Sequence, residues 1–153
     1  MTTYDIQWQQ EFESGSSDTN HFHDFTFDIG DGSAHGIPGW GNQEREYYIE
    51  AAAQVDDTSN LLINATRMPV ITDDNPTGAP SDANPYPAYY GTAAEWTSAK
   101  LTTFNKVAFL YGRMEARIKA PSGLGTWPAF WMLGTDIRHS TWPQCGEIDI
   151  MEG

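Results

Sequence analysis

Hydrophobic and polar positions alternate with a period of two along several short stretches of the chain. The alternation is clearest over residues 107–120, where Ala108, Leu110, Met114, Ala116 and Ile118 fall on one face and Tyr111, Arg113, Glu115, Arg117 and Lys119 on the other. This period is typical of a half-solvated β-strand. Aromatic and β-branched residues mark further strand candidates at 4–12, 46–54, 60–66, 98–105 and 126–133.

No stretch has the 3.6-residue period of a helix, and glycine and proline recur often enough to mark turns between the strands. Two stretches, 14–20 and 72–91, lack periodicity and predict long loops. In the second, Tyr86, Tyr89 and Tyr90 favour a binding rim. The pattern predicts an all-β chain, an antiparallel β-sandwich, with residues 1–153 in a single domain.

The strongest chemical signal is the segment Gly-Glu-Ile-Asp-Ile-Met-Glu-Gly at 146–153. Glu147 and Asp149 alternate with isoleucines, so their side chains share one face of a strand. Glu152 lies five residues after Glu147 and would face the other way in a regular strand. One extra residue in a β-bulge, expected at Met151, returns it to the acidic face and leaves the aliphatic residues beneath in the core.

Three interpretations of this strand stay open on the residues alone. Crowded carboxylates can divide into an acid and a nucleophile or base, which is what cleavage of a glycosidic bond needs. Clustered acids also bind metal ions. The third interpretation is a solvated strand face, although like charges side by side on one face cost stability.

Aromatic residues favour the sugar interpretation. Trp127 and Trp131 are four residues apart and hence on one strand face, and Trp40 precedes the polar amide of Asn42. Flat apolar rings beside hydrogen-bonding groups suit a sugar, whose faces are apolar and whose edge carries hydroxyls.

Charge and composition exclude several other classes. The formal net charge of −13 opposes binding to nucleic acid or to anionic lipid. No stretch approaches the ~20 apolar residues of a membrane span, and no signal peptide is visible. The single cysteine, Cys145, allows neither an internal disulfide nor a multi-cysteine zinc site.

Five segments together resemble glycoside hydrolase family sixteen, in particular its bacterial endo-β-1,3-glucanases, the laminarinases. They are Gly-Trp-Gly-Asn-Gln-Glu at 39–44, Thr-Ser-Ala-Lys-Leu at 97–101, Tyr-Gly-Arg-Met-Glu-Ala-Arg-Ile-Lys at 111–119, Trp-Pro-Ala-Phe-Trp at 127–131, and Gly-Glu-Ile-Asp-Ile-Met-Glu at 146–152. Lys100 stands where many relatives have arginine, which puts a local hydrogen-bond arrangement in question.

The resemblance implies a jelly roll with a glucan cleft and a retaining double displacement. Glu147 would be the nucleophile and Glu152 the acid/base, with Asp149 tuning the nucleophile. Glucose units would be bound by Asn42, Arg67, Trp127 and Trp131. No cofactor is needed for this chemistry, but relatives often carry a structural calcium, to which Glu13 is the candidate ligand here.

The resemblance further implies a secreted protein acting on β-1,3-glucan, with mixed-linkage glucan as a secondary substrate. Sulfated galactans would be repelled by the negative charge. Because the chain ends one residue after Glu152, we expect a fold incomplete at its C-terminus. Three explanations stay open: a truncated fragment, a complementing C-terminal chain, or self-association of two copies. Two other functions stay open: a glucan-binding fragment that does not cleave, and an acidic metal-binding β-protein.

Overall fold

The computed structural model describes residues 4–14, 20–69, 84–87 and 93–153. Most of the two predicted loops, including Tyr89 and Tyr90, lies outside these residues. Within them the secondary structure consists of short strands and three 3₁₀ turns, at Ser33–His35, Pro38–Gly41 and Glu50–Ala52. The described part of the chain contains no helix with the length and hydrophobicity that crossing a membrane would need.

Nine strands are present in the described residues. They are β1 (Thr26–Asp28), β2 (Glu46–Tyr48), β3 (Ala53–Val55), β4 (Leu61–Ile63), β5 (Thr66–Arg67), β6 (Trp96–Ser98), β7 (Lys100–Thr102), β8 (Ala129–Leu133) and β9 (Glu147–Glu152). Residues 1–102 and 103–153 form two compact units. The all-β class expected from the sequence is therefore confirmed.

The first unit contains three small sheets. β1 pairs with β7 and β3 with β4, both antiparallel. The third sheet has the order β2-β6-β5, in which β5 is antiparallel and β2 parallel to the central strand. The parallel pair departs from the wholly antiparallel arrangement that the alternation indicated, since a side-chain period of two is common to both kinds of pairing.

A small apolar core holds the first unit together. Three buried alanines, Ala52, Ala53 and Ala99, form its centre, and larger side chains pack around them: Phe22, Phe27, Ile49, Leu61 and Leu101. The fully buried amide of Asn84 donates hydrogen bonds to the backbone carbonyls of Pro69 (3.0 Å) and Ala94 (2.8 Å). These two bonds tie the described segment 84–87 to its neighbours.

Three predicted strands each divide into shorter strands that belong to different sheets. Residues 46–54 contain β2 and the start of β3, separated by the turn at Glu50–Ala52. Residues 60–66 contain β4 and the start of β5, and residues 98–105 contain the end of β6 and all of β7. Alternation continues through such corners, where a chain passes from one sheet to another, so the pattern alone cannot mark them.

Two further strand predictions are wrong. Residues 4–12 are irregular and reach Phe12 with a positive φ of 52°. Residues 107–120, the stretch with the clearest alternation, pair with no strand in the described residues, and Leu110 on their apolar side is 83% exposed. A strand needs a hydrogen-bonded neighbour, whereas alternation records only which side chains suit a buried face.

Candidate active site

The second unit is built around an antiparallel pair, β8 and β9, that carries the acidic segment. Leu133 lies opposite Glu147, Trp131 opposite Asp149, and Ala129 opposite Glu152. Residues that are directly opposite in an antiparallel pair project from the same face. Because Ala129, Trp131 and Leu133 alternate along β8, their three acidic partners also share one face, which we call the acidic face.

A β-bulge brings Glu152 to the acidic face. The register shifts between Phe130 and Trp131: Phe130 lies opposite Met151, and Trp131 lies opposite Asp149. Ile150 is therefore the extra residue of β9. The predicted bulge is present, but one residue earlier than the expected position at Met151, because Met151 keeps a partner in the ladder.

Trp127 contacts the acidic face directly. Its indole Nε1 donates a hydrogen bond to Oε1 of Glu152 over 3.2 Å. The backbone N–H of Gly153 donates to the carbonyl of Pro128 at 2.9 Å, which continues the pairing beyond the strand end. The end of β9 is thus joined to the segment that precedes β8 by one backbone bond and one side-chain bond.

The opposite side of β9 is more exposed than the sequence predicts. Ile148 is 61% exposed, and Ile150 is also exposed, whereas both were expected in a core. β8 and β9 form a two-stranded sheet, and a sheet buries an apolar face only where another layer packs on it. The alternation correctly predicts which residues form the acidic face and which form the apolar face. It does not predict what covers the apolar face.

In the first unit, Asn42 lies at the end of a tight turn with unusual backbone geometry. Positive φ angles occur at Gly39 (59°), Trp40 (51°), Gly41 (78°) and Gln43 (60°). The N–H groups of Asn42 and Glu44 both donate to the carbonyl of Gly39, at 2.9 Å and 3.1 Å. The turn, residues 39–44, thereby closes on one carbonyl and leaves the Asn42 side chain exposed.

Trp40 anchors this turn. Its ring is only 8% exposed, and its Nε1 donates to the carbonyl of Gly30 at 3.1 Å. The Lys100 ammonium lies 4.1 Å from the centroid of that ring, a cation–π contact. Burial lowers the pKa of Lys100, and the charges of Glu44, Asp28 and Glu46 oppose this shift. The tryptophan predicted beside Asn42 as a sugar platform is instead a buried support.

Two glutamates and a tyrosine lie behind Asn42. The Asn42 Nδ2 donates to Oε1 of Glu44 at 3.3 Å, and the Tyr48 hydroxyl donates to Oε2 of Glu44 at 2.6 Å and to Oε1 of Glu46 at 3.1 Å. Burial, followed by the charges of these two glutamates, raises the pKa of Tyr48. Neither Tyr48 nor Glu46 was predicted from the sequence as a site residue. The signal that could have indicated them is their alternation within β2, directly after Glu44.

The remaining candidates are less constrained. Arg67 ends β5, is exposed, and lies opposite Trp96 in the sheet. It belongs, like Asn42, to the first unit, whereas Trp127, Trp131 and the three acids belong to the second.

Glu13 is exposed, and the described residues contain no group of three or more His, Cys, Asp or Glu side chains that could hold a metal ion. Calcium prefers six to eight oxygen ligands. Those oxygens can come from backbone carbonyls as well as carboxylates, so the role of Glu13 as a calcium ligand stays a prediction, and no step of the chemistry below uses a metal ion.

Comparison with known proteins identifies the chain's relatives. Residues 92–153 match a family model described as "XgeA-like, catalytic GH16 domain". The resemblance to glycoside hydrolase family sixteen is confirmed. The catalytic domain of an endo-1,3-β-glucanase (laminarinase) from Thermotoga petrophila superposes with a TM-score of 0.77 at 42% sequence identity, covering 100% of this chain and 52% of that one. The chain therefore belongs to the same jelly-roll fold class as these laminarinase domains.

Two curated relatives agree with this assignment. A "Beta-glucanase" from Rhodothermus marinus is 36% identical over 154 residues, covering 97% of this chain and 43% of that protein. A "Beta-1,3-glucan-binding protein" from Penaeus monodon is 52% identical over 56 residues, covering 37% of this chain and 15% of that protein. The chain spans about half the length of the solved relatives and less than half the length of the curated ones.

Proposed function

We propose that the chain carries the catalytic strand of an endo-acting β-1,3-glucanase of the laminarin-cleaving type. The observation that carries the proposal is the bulged register of β9, with Glu147, Asp149 and Glu152 on one face. Trp131 projects from the same face, and Trp127 contacts Glu152. Paired carboxylates beside exposed aromatic rings suit cleavage of a bond between sugar rings.

In the proposed reaction, a carboxylate oxygen of Glu147 attacks the anomeric carbon and forms a glycosyl ester. The bond to the leaving oxygen breaks, and that oxygen takes the proton of Glu152. Glu152, now a carboxylate, removes a proton from water, and the resulting hydroxide attacks the anomeric carbon. The ester bond to Glu147 breaks, so one water molecule is consumed and both carboxyl groups return to their starting states.

Asp149 lies between the two reacting carboxyl groups along β9 and is proposed to hold a proton or hydrogen bond that tunes Glu147. Asn42, Arg67, Trp127 and Trp131 are proposed to contact glucose units. The net charge of −13 favours a neutral glucan over a sulfated polymer. We place the activity outside the cell, as the family resemblance implies, and mixed-linkage β-1,3-1,4-glucan is the proposed secondary substrate.

The test is release of reducing ends from laminarin by the purified 153-residue chain. We expect activity in the wild type and a loss of at least ~100-fold in Glu147→Gln, which keeps the shape of the side chain but removes the nucleophile. Glu115→Gln is the matched control, because it removes the same charge from the same unit, outside the acidic face. Equal activity in wild type and Glu147→Gln would contradict the assigned role.

A second candidate is a protein that binds β-1,3-glucan without cleaving it. It is favoured by the similarity to the Penaeus monodon protein and by the exposed rings of Trp127 and Trp131. This candidate predicts that laminarin binds with equal affinity to the wild type and to Glu147→Gln, while neither releases reducing ends. Binding measured by calorimetry beside the activity assay separates the two functions.

A further inference from the structure

The turn that carries Asn42 holds ordinary residues in a backbone region that favours glycine. Gly39 and Gly41 adopt their positive φ angles readily, but Trp40 (51°) and Gln43 (60°) do not have this freedom. Such residues persist where the surroundings impose the geometry, and they concentrate at functional sites. Here the buried Trp40 ring, bonded to Gly30 and covered by Lys100, imposes it. The backbone position of Asn42 is therefore fixed.

The orientation of the Asn42 amide follows from the chemistry of its neighbour. Glu44 as a carboxylate only accepts hydrogen bonds, so the end of the amide that faces it must be the NH₂ group. The Asn42 Oδ1 is consequently turned away from Glu44. A residue with both donors and acceptors in place of Glu44 would permit either orientation of the amide.

Glu44 is itself held from behind. Its other oxygen, Oε2, accepts the short 2.6 Å bond from the Tyr48 hydroxyl, and its backbone N–H is bonded to Gly39 in the turn. Tyr48 is part-buried, and its hydroxyl is protonated at neutral pH and donates to both glutamates; burial and the charges of these glutamates raise its pKa above the ordinary value. The contacts thus run in one direction, from Tyr48 through Glu44 to the exposed amide of Asn42.

We propose that Glu44 is a positioning residue, which orients Asn42 so that its Oδ1 accepts a hydrogen bond from a sugar hydroxyl. The identity of the ligand in this inference rests on the proposed function. The orientation of the amide is independent of that function. Glu44 does not itself contact the sugar in this proposal. Its effect on glucan binding is exerted through the Asn42 amide.

The orientation is tested first without sugar, by NMR of the side-chain amide of Asn42, whose signals are identified by their loss in Asn42→Ala. We expect Glu44→Gln to shift these signals and to speed exchange of the amide protons with water. Glu50→Gln, an exposed glutamate of the same unit, is the matched control and should leave them unchanged. If Glu44→Gln proves unfolded, Tyr48→Phe removes only the hydroxyl behind Glu44 and serves instead. Unchanged Asn42 signals in both variants would overturn the proposal.

The role in binding is tested with a β-1,3-linked glucose hexasaccharide, whose dissociation constant is measured by calorimetry. We expect Glu44→Gln and Asn42→Ala each to weaken binding by about tenfold, as loss of one hydrogen bond does. The double variant should be no weaker than Asn42→Ala, because both changes remove the same interaction. Additive losses would show that Glu44 acts independently of Asn42 and would overturn its positioning role.

The two tests also separate this inference from the proposed function. A chain that shows the amide effect but binds no hexasaccharide contradicts the proposed function and the ligand named here, and supports the orientation of Asn42 by Glu44. A chain that binds and cleaves laminarin with no amide effect contradicts the positioning role alone.

Discussion

The indole Nε1 of Trp127 donates a hydrogen bond to Oε1 of Glu152 over a distance of 3.2 Å. Trp127 precedes β8 and Glu152 ends β9, so this bond connects the aromatic segment to the proposed acid/base. In the proposed reaction this bond would give Trp127 a role beyond that of an apolar platform, since a bonded carboxyl group has fewer orientations in which to meet the leaving oxygen.

We expect Trp127→Phe to lower the kcat on laminarin by about tenfold and to change KM less, because the ring is kept while the donor to Glu152 is lost. Steady-state kinetics of the two proteins provide the measurement. Trp142→Phe, an exposed tryptophan in the same unit, is the control. A rise in KM at constant kcat would mean that Trp127 contributes only to sugar binding.

Tyr48 makes the stability of the fold sensitive to alkali. Its pKa is raised in the folded chain above the ordinary tyrosine value of 10.0, so at high pH the unfolded chain loses this proton while the folded chain keeps it. The stabilisation is complete below pH 10 and is lost as the pH rises further. Urea unfolding at about pH 8 and about pH 11 should show a decline that is smaller in Tyr48→Phe.

Tyr111→Phe is the control for this prediction, because Tyr111 is exposed in the second unit. An equal alkaline decline in wild type and Tyr48→Phe would contradict the assignment to Tyr48. At neutral pH, Tyr48→Phe should itself be less stable by about 1–3 kcal/mol, since Glu44 and Glu46 lose a shared donor.

Asp56 gives the opposite dependence at acid pH. Its carboxylate accepts hydrogen bonds from Asn60 and Thr58 in the turn between β3 and β4. Those of Asn60 are the largest cause that lowers its pKa from 3.8 to about 2. Stability from Asp56 is present above pH 3.8 and is lost as the pH falls through 2.

Thermal unfolding between about pH 5 and about pH 2 should show a smaller decline in Asp56→Asn than in the wild type or in the neighbouring Asp57→Asn. Identical profiles for Asp56→Asn and the wild type would contradict this prediction.

Exposed apolar side chains in the second unit predict that the 153-residue chain associates with itself. Leu110 is 83% exposed and Ile148 61%, and both belong to stretches with an alternating apolar face. Exposed apolar patches of this kind promote association. Sedimentation velocity should show oligomers that Leu110→Ser reduces, whereas Lys119→Ser, a polar position in the same stretch, does not. A monomeric wild type at all concentrations would contradict this expectation.

The sequence predicts which side chains share a strand face better than it predicts which strands pair with each other. The faces of β9 and the presence of a bulge were predicted from the positions of Glu147, Asp149 and Glu152, because side-chain alternation is a local property. The pairing partner of a strand, in contrast, can lie far away in the sequence. Residues 107–120 alternate clearly yet form no strand in the described structure, and residues 46–54 pass through a corner into a second sheet.

The same distinction applies to the candidate site. Asn42 was predicted from its motif, whereas neither Glu44 nor the donor behind it, Tyr48, was predicted as a site residue. Hydrogen bonds between Asn42, Glu44 and Tyr48 depend on the left-handed turn at Trp40 and Gln43. Nothing in side-chain alternation predicts a positive φ at residues other than glycine, because it is imposed by the buried Trp40 ring.

The bulge at Ile150 reconciles an odd number of residues in β9 with a shared face for the two reacting carboxyl groups. An interval of five residues separates Glu147 from Glu152, and the unpaired residue makes this odd number equivalent to an even one. Removing Ile150 alone would remove the bulge and leave an interval of four residues in a regular strand, so Glu152 would keep the same face as Glu147. β9 thus holds one more residue than a regular strand would need to present the two carboxyl groups on one face, and the bulge absorbs it.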